Sequence, residues 1–381
     1  MLISNQPEKI SVPFANSGGK QPIPVESQVG LEDGRASFTD GFPPLTRTPL
    51  SAGGKPPFGT DMNGILYAIT KILQWQSAGG GFSYDSEFAA SIGGYPKGAK
   101  IASADGRSMW ISLVDSNVSN PDTGGAGWAP LFPAGVIGAS RKASMRVSAA
   151  STTASFTANQ IVVAQALGGQ SYSLSSISAS INLSTVGAGG MNSGLAPASG
   201  WVSIYLIYNP SSDAYALLGV DSSSSVSPEV FSGSGMPGGF TASALISVWK
   251  TNSSRQLVVG ALQGRSVSLP GSLAVSSSTS TPVITQVNIA SCVPPNANAC
   301  GGFMLVSGIN TTNAQVNIYS DALGSGEIQA AGNSTTGGVQ NISGAPFSYV
   351  KILTQQSIWW SVGATTGTVT GGTIRISSYD F

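Results

Sequence analysis

Apolar residues recur at a helical period in one long stretch, residues 56–77 (PPFGTDMNGILYAITKILQWQS), and elsewhere alternate or cluster in short runs. Within it Met62, Ile65, Leu66, Ile69, Ile72 and Leu73 follow spacings of three and four, which places them on one stripe of a 3.6-residue helix. Asp61 stands where an N-cap belongs, able to accept from free backbone N–H groups, and Ala78-Gly79-Gly80-Gly81 ends the helix. As heptads, the stripe falls near a and d positions. It predicts either a helix packed on its own domain or the seam of a small bundle between identical chains.

The chain divides by pattern into five stretches. Residues 1–55 are proline-rich and predicted to be extended, because proline fixes φ and removes a donor; Phe14, Ile23, Val25, Phe38, Phe42 and Leu45 must then be clamped by a neighbour. Residues 56–131 join the helix to a small β-module with glycine and proline turns and a strand at 108–114. Trp110 and Trp128 are its expected core, the alternative being exposed rings that stack on sugars. Residues 132–154 are small and Ser/Ala-rich, with Arg141, Lys142 and Arg146 close together, and read as a linker or shaft.

Beyond 154 the pattern is that of strands. Residues 155–272 predict a β-sandwich, with strands at 161–164, 171–177, 201–208, 214–218, 244–251, 256–261 and 265–269. The run 201–208 is apolar enough to be buried on both faces. Loops 187–191 and 234–239 are glycine-rich and expected to expose Met191 and Met236. A low-complexity hinge at 276–281 then opens a second antiparallel sandwich or jelly roll over 273–381, with strands at 283–289, 302–306, 314–319, 347–353, 357–362 and 373–379. The fold class is mainly β.

Charge changes the picture of partners. Only 9% of residues are charged, net charge is zero and apolar content is 41%, where about 25% charged is usual. Such a chain folds, and nothing in it attracts nucleic acid or an anionic membrane. It has no basic n-region before an apolar core and no apolar run of membrane-spanning length, so neither secretion by a signal peptide nor membrane insertion is expected.

Histidine is absent, which removes Ser-His-Asp and Cys-His catalysis and histidine metal ligands together. No metal or cofactor is expected. Beyond residue 131 the carboxylates are Asp213, Asp221, Glu229, Asp321, Glu327 and Asp380, from which any glycosidase pair must be drawn. Cys292 and Cys300 bracket a short loop and are either a local disulfide or two buried thiols. Candidate binding residues lie in the last domain. Asn310, Asn313 and Asn333 sit in polar loops on a β scaffold. Adjacent Trp359 and Trp360 must point to opposite faces of a strand, one into the core and one outward, where it either joins Tyr319 or Tyr349 in stacking on a sugar or is buried at a trimer interface.

The run GFPPLTRTPLSAGGKPPFGTDMNGILYAITKILQWQSAGG, followed by YDSEF, IGGYPKGA, WISLVDSNVSNPD and GW, resembles the N-terminal module of tail fibre proteins from tailed bacteriophages and prophages. The resemblance covers roughly residues 1–130. It implies a homotrimeric fibre subunit of the virion, docked through residues 1–55 to a tail-tip or baseplate protein, with the helix as a trimerisation element. The C-terminal β domain is then expected to bind a bacterial surface receptor: a polysaccharide, a pilus or an outer-membrane protein. The alternatives are a fibre-borne polysaccharide depolymerase acting through Asp321 or Glu327, and a spacer carrying another receptor-binding protein.

Overall fold

The computed structural model describes residues 2, 6–131, 135–231, 233–333 and 340–381. It is mainly β and divides into two compact units, Met1–Ala129 and Pro130–Phe381.

In the first unit α1 spans Gly59–Ser77 and ends at Gly79, whose positive φ of 85° suits a residue without Cβ. Asp61 is not its N-cap. That position is Phe58, and Asp61 lies inside the first turn, fully buried, its Oδ2 accepting the backbone N–H of Ala36 at 2.7 Å. The carboxylate therefore fastens a distant segment to the helix start instead of closing the helix itself. A second helix that the strand-like reading of this region passed over, α2 (Ser86–Ile92), is capped by Asp85, which accepts from Phe88 N at 2.9 Å. Strands β1 (Lys100–Ala102), β2 (Met109–Ser112) and β3 (Trp128–Pro130) form a small sheet in that order, with β1 and β2 antiparallel. Ala89, Tyr95, Ile101 and Trp110 make its core, with Trp128 packed against them. Both indole N–H groups are satisfied internally, Trp110 by Asp122 Oδ1 at 3.0 Å and Trp128 by the carbonyl of Ser119 at 2.8 Å. These rings are core, as expected.

The second unit carries β4 (Ser140–Arg141), β5 (Ser144–Val147), β6 (Thr153–Ala164), β7 (Ser171–Asn182), β8 (Gly190–Met191), β9 (Trp201–Asn209), β10 (Ala214–Asp221), β11 (Ala242–Lys250) and β12 (Gly260–Gln263). It continues with β13 (Ser266–Ser277), β14 (Thr281–Asn288), β15 (Ala299–Thr312), β16 (Ala314–Tyr319), β17 (Ile328–Gly332), β18 (Gln340–Lys351), β19 (Ser357–Gly363) and β20 (Thr366–Asp380). Among the described residues, a large sheet runs β18-β15-β20-β13-β12-β5-β6-β11-β9-β10-β8, with β4 and β7 also on β6, and a small one runs β14-β19-β16-β17. Met304, Val306 and Ile374 of the large sheet share one core with Val316, Ile318, Trp360 and Val362 of the small one, giving a sandwich. At Gly372 the layers come so close that a Cβ would lie 2.6 Å from Val362. Strands β9 and β11 are buried along eight consecutive residues each, so β9 is covered on both faces as its apolar run predicts.

Three expected boundaries differ from the structure. Residues 132–154 are not a linker throughout, since β4, β5 and the start of β6 lie there and pair into the large sheet. The division at 272/273 falls inside β13, whose residues on both sides of it pair with β20. The hinge at 276–281 is the end of β13, a three-residue link and the start of β14, a corner passing from one sheet to the other. Serine and threonine there favour strand edges and turns, and composition alone does not separate that use from a flexible tether. Met191 is fully buried and Met236 packs on the core, so neither glycine-rich loop displays an exposed methionine.

Candidate recognition surfaces

The N-terminal surface is built by α1 and the proline-rich segment in front of it. That segment runs antiparallel to the helix. Gln74 Nε2 donates to the carbonyl of Ser11 at 2.6 Å, Phe14 N to Thr70 Oγ1 at 2.8 Å, Asn63 Nδ2 to the carbonyl of Gly19 at 2.7 Å and Gln21 N to the carbonyl of Thr60 at 3.1 Å. Lys20 Nζ lies 4.5 Å from the ring centre of Tyr67. Thr60, Asn63, Tyr67, Thr70 and Gln74 recur at three and four, so they form a polar stripe, and the chain's own N-terminal segment occupies it. At 100° per residue this stripe lies roughly 130° around the helix from the apolar one. Met62, Ile69, Ile72 and Leu73 are accordingly 42–50% exposed, and Ile65 and Leu66 are half-buried.

The distal candidates separate on the structure. In β19, Trp360 pairs with Ile318 and is buried, while Trp359 pairs with Tyr319 and is half-buried, the opposite-face arrangement their adjacency requires. Tyr319 is not available for stacking: it is buried, and its hydroxyl meets Glu327 Oε1 at 3.3 Å and Ser361 Oγ at 3.1 Å. Trp360 is likewise a core residue. Tyr349 is 65% exposed at the end of β18 that pairs with Cys300. Asn310 and Asn313, both in the left-handed region, sit at the other end of β15, where Asn313 N donates to Asn333 Oδ1 at 2.6 Å. Ten residues of strand between the two ends amount to roughly 30 Å. The aromatic and asparagine candidates therefore form two places, and residues 334–339 of the asparagine-bearing loop lie outside the described residues.

The carboxylates of the depolymerase alternative have structural partners. Asp321 Oδ1 accepts from Leu323 N and Ser325 N at 2.9 Å each, and hydrogen bonding from Ser325, its side chain first, holds the carboxyl below its ordinary value. Glu327 accepts from the Tyr319 hydroxyl. Cys292 and Cys300 are free, buried thiols, and burial, reinforced by Cys292, pushes the Cys300 thiol up to about 12. Among the described residues no cluster of three or more His, Cys, Asp or Glu is arranged to hold a metal, and no helix is long and apolar enough to cross a membrane.

Sequence reasoning passed over one cluster. Arg265 and Glu229 form a bidentate pair, Nη1 to Oε2 at 3.0 Å and Nη2 to Oε1 at 2.8 Å, beside Asn298 and Phe381. The residues are far apart in sequence, and the only signal was that charge is scarce in this unit.

No family model matches the chain, and no curated protein is similar to it. Among solved structures it is similar to an exo-β-1,3-galactanase from Phanerochaete chrysosporium with galactose, at 15% identity and a TM-score of 0.17, over 72% of this chain and 64% of that one. A Glu-to-Gln form of that enzyme with β-1,3-galactotriose gives 14% identity and a TM-score of 0.16, over 74% and 64%. The chain thus spans 64% of the length of these structures. Superpositions this poor carry no statement about its activity.

Proposed function

We propose that this chain is a bacteriophage tail fibre subunit: a homotrimeric component of the virion that docks to the tail tip or baseplate through its N-terminal unit and binds a bacterial surface receptor through its β unit. The observation that carries this reading is the division of labour on α1. Its polar stripe is clamped by residues 11–21, and its apolar stripe, spaced as a and d positions, is left open. An exposed apolar stripe on a charge-poor chain marks an interface, and its heptad spacing suits copies of the same helix. The function is binding rather than catalysis, since Asp321 is committed to its own loop and Glu327 to Tyr319. Avidity from three copies then replaces strong single contacts.

The test uses the full chain. Sedimentation equilibrium is expected to give a trimer, and Ile69→Lys with Ile72→Lys a folded monomer, because both side chains are half exposed within one chain. A wild-type monomer, or a double variant that stays trimeric, sinks the assignment of α1. The purified trimer is also expected to compete with intact phage for host cells.

A further inference from the structure

The second unit contains an open groove of about 1020 Å³, at the upper end of the roughly 300–1,000 Å³ common for ligand pockets. Segments from opposite ends of the unit's sequence build it: residues 135–139 before β4, the β6–β7 turn, residues 226–229 before β11, Arg265 between β12 and β13, Asn298 before β15, and Phe381. Its rim is aliphatic, with Val136, Leu167 and Val226 exposed by 80%, 73% and 58%.

Polar groups on its wall are held fixed. Besides the two bonds to Glu229, Arg265 donates from Nε to the carbonyl of Phe381 at 2.6 Å and from Nη1 to the carbonyl of Leu245 at 3.5 Å, and its guanidinium lies 4.6 Å over the Phe381 ring. Four of its N–H groups are thereby used and one on Nη2 is left, out of the five an arginine carries. Each Glu229 oxygen accepts one of these bonds and keeps a lone pair. Gly138 permits the arrangement: at its φ of 76°, a Cβ would sit 3.1 Å from Arg265 Nη1. Asn298 also lines the groove, and an asparagine side chain offers both donors and an acceptor.

We infer that this groove binds a neutral saccharide, with Glu229, Arg265 and Asn298 hydrogen-bonding its hydroxyls. The inference rests on the receptor-binding reading above and supplies its ligand class. Among the described residues the charged side chains lining the groove are Glu229 and Arg265, which are paired with each other, so neither is left free as a counter-charge for a charged ligand. Sugar hydroxyls both donate and accept, which matches a wall offering both, and the C–H faces of the rings suit the aliphatic rim. Among the described residues one carboxylate side chain, Glu229, lines the groove where glycoside hydrolysis uses two, which favours binding over cleavage.

The experiment applies the full chain to an array of neutral and anionic bacterial surface oligosaccharides and, in parallel, to intact bacteria. Neutral members are expected to bind. Leu167→Trp, which narrows the rim, and Asn298→Ala should each weaken that binding about tenfold without moving the thermal transition. Glu229→Gln leaves Arg265 uncompensated and should shift preference towards anionic members, while Tyr349→Ala and Trp359→Ala change nothing. Saccharide binding that survives Leu167→Trp and Asn298→Ala overturns the groove assignment. Binding to bacteria with no binding to any oligosaccharide overturns the saccharide and leaves receptor recognition standing. Binding to neither overturns both.

Discussion

At the scale of single residues, two side groups decide how the N-terminal unit closes. Asp61 is buried and accepts from Ala36 N, so its carboxylate joins the proline-rich segment to α1. Gly64 lets the same segment approach: a Cβ there would lie 2.0 Å from the carbonyl oxygen of Gln21. Gly64→Ala is expected to push residues 19–21 off the helix and cost about 1–3 kcal/mol, visible as faster amide exchange at Gln21 and a lower transition for this unit. In the β unit, burial dominates the groups shifted upward. It pushes the Cys300 thiol and the Tyr205 hydroxyl up to about 12 each, with the Glu229 charge also raising Tyr205, and raises Tyr379 well above its ordinary value. Between the ordinary thiol and phenol values and about 12, the unfolded chain has lost protons that the native state keeps. Stability is therefore full below that window and falls as pH rises through it. Equilibrium unfolding followed from pH 8 to 12 should show a flat region and then a decline; no decline would mean these groups are solvated.

At the scale of elements, the helix and most strands were legible. The period of α1 and the both-face burial of β9 follow directly from apolar spacing, and the Trp359–Trp360 alternation from the two-residue repeat of a strand. What spacing does not say is which of two adjacent residues faces inward. Trp360 faces in, against Ile318 and close to Gly372. Trp360→Ala should accordingly cost about 3–5 kcal/mol in denaturant unfolding, and Trp359→Ala distinctly less. Equal losses would place both rings in the core. Asp61 shows the complementary failure. An acidic residue at a helix start satisfies the rule for a cap, and a tertiary partner, Ala36 N, outcompetes the local one. The Asp85 cap of α2 carried the same signal at a helix too short for its period to be read.

At the scale of the whole chain, the boundary between two β domains dissolves. Strand β20 pairs with β13 from Ser266 to Ser277, Tyr379 donates to the carbonyl of Val248 at 2.5 Å, and its ring meets Trp201 edge-on at 5.6 Å. A fragment of residues 273–381 keeps only the Leu273–Ser277 end of β13 and loses Ser266–Ser272, Val248 and Trp201. It is expected to be unfolded by circular dichroism and amide dispersion, whereas residues 130–381 fold; a folded short fragment would restore the two-domain division. The same long-range closure assembles the Glu229–Arg265 groove from segments that begin before β4 and end at Phe381, which explains why no local motif announced it.

The sequence by itself determined the class of structure and the chemistry it lacks. Apolar period marked one helix among many strands, and the absence of histidine closed off histidine-based catalysis and metal ligation. These are local or compositional properties, set by residues near one another or by none in particular. Only the tertiary structure decided that Ser140–Arg141, Ser144–Val147 and the start of β6 pair into a sheet, that Tyr319 is buried, that Asp61 holds Ala36, and that Glu229 meets Arg265. Each depends on a partner far along the chain, and the free energy that selects such a partner comes from burial and pairing that exist only once the sheets have closed.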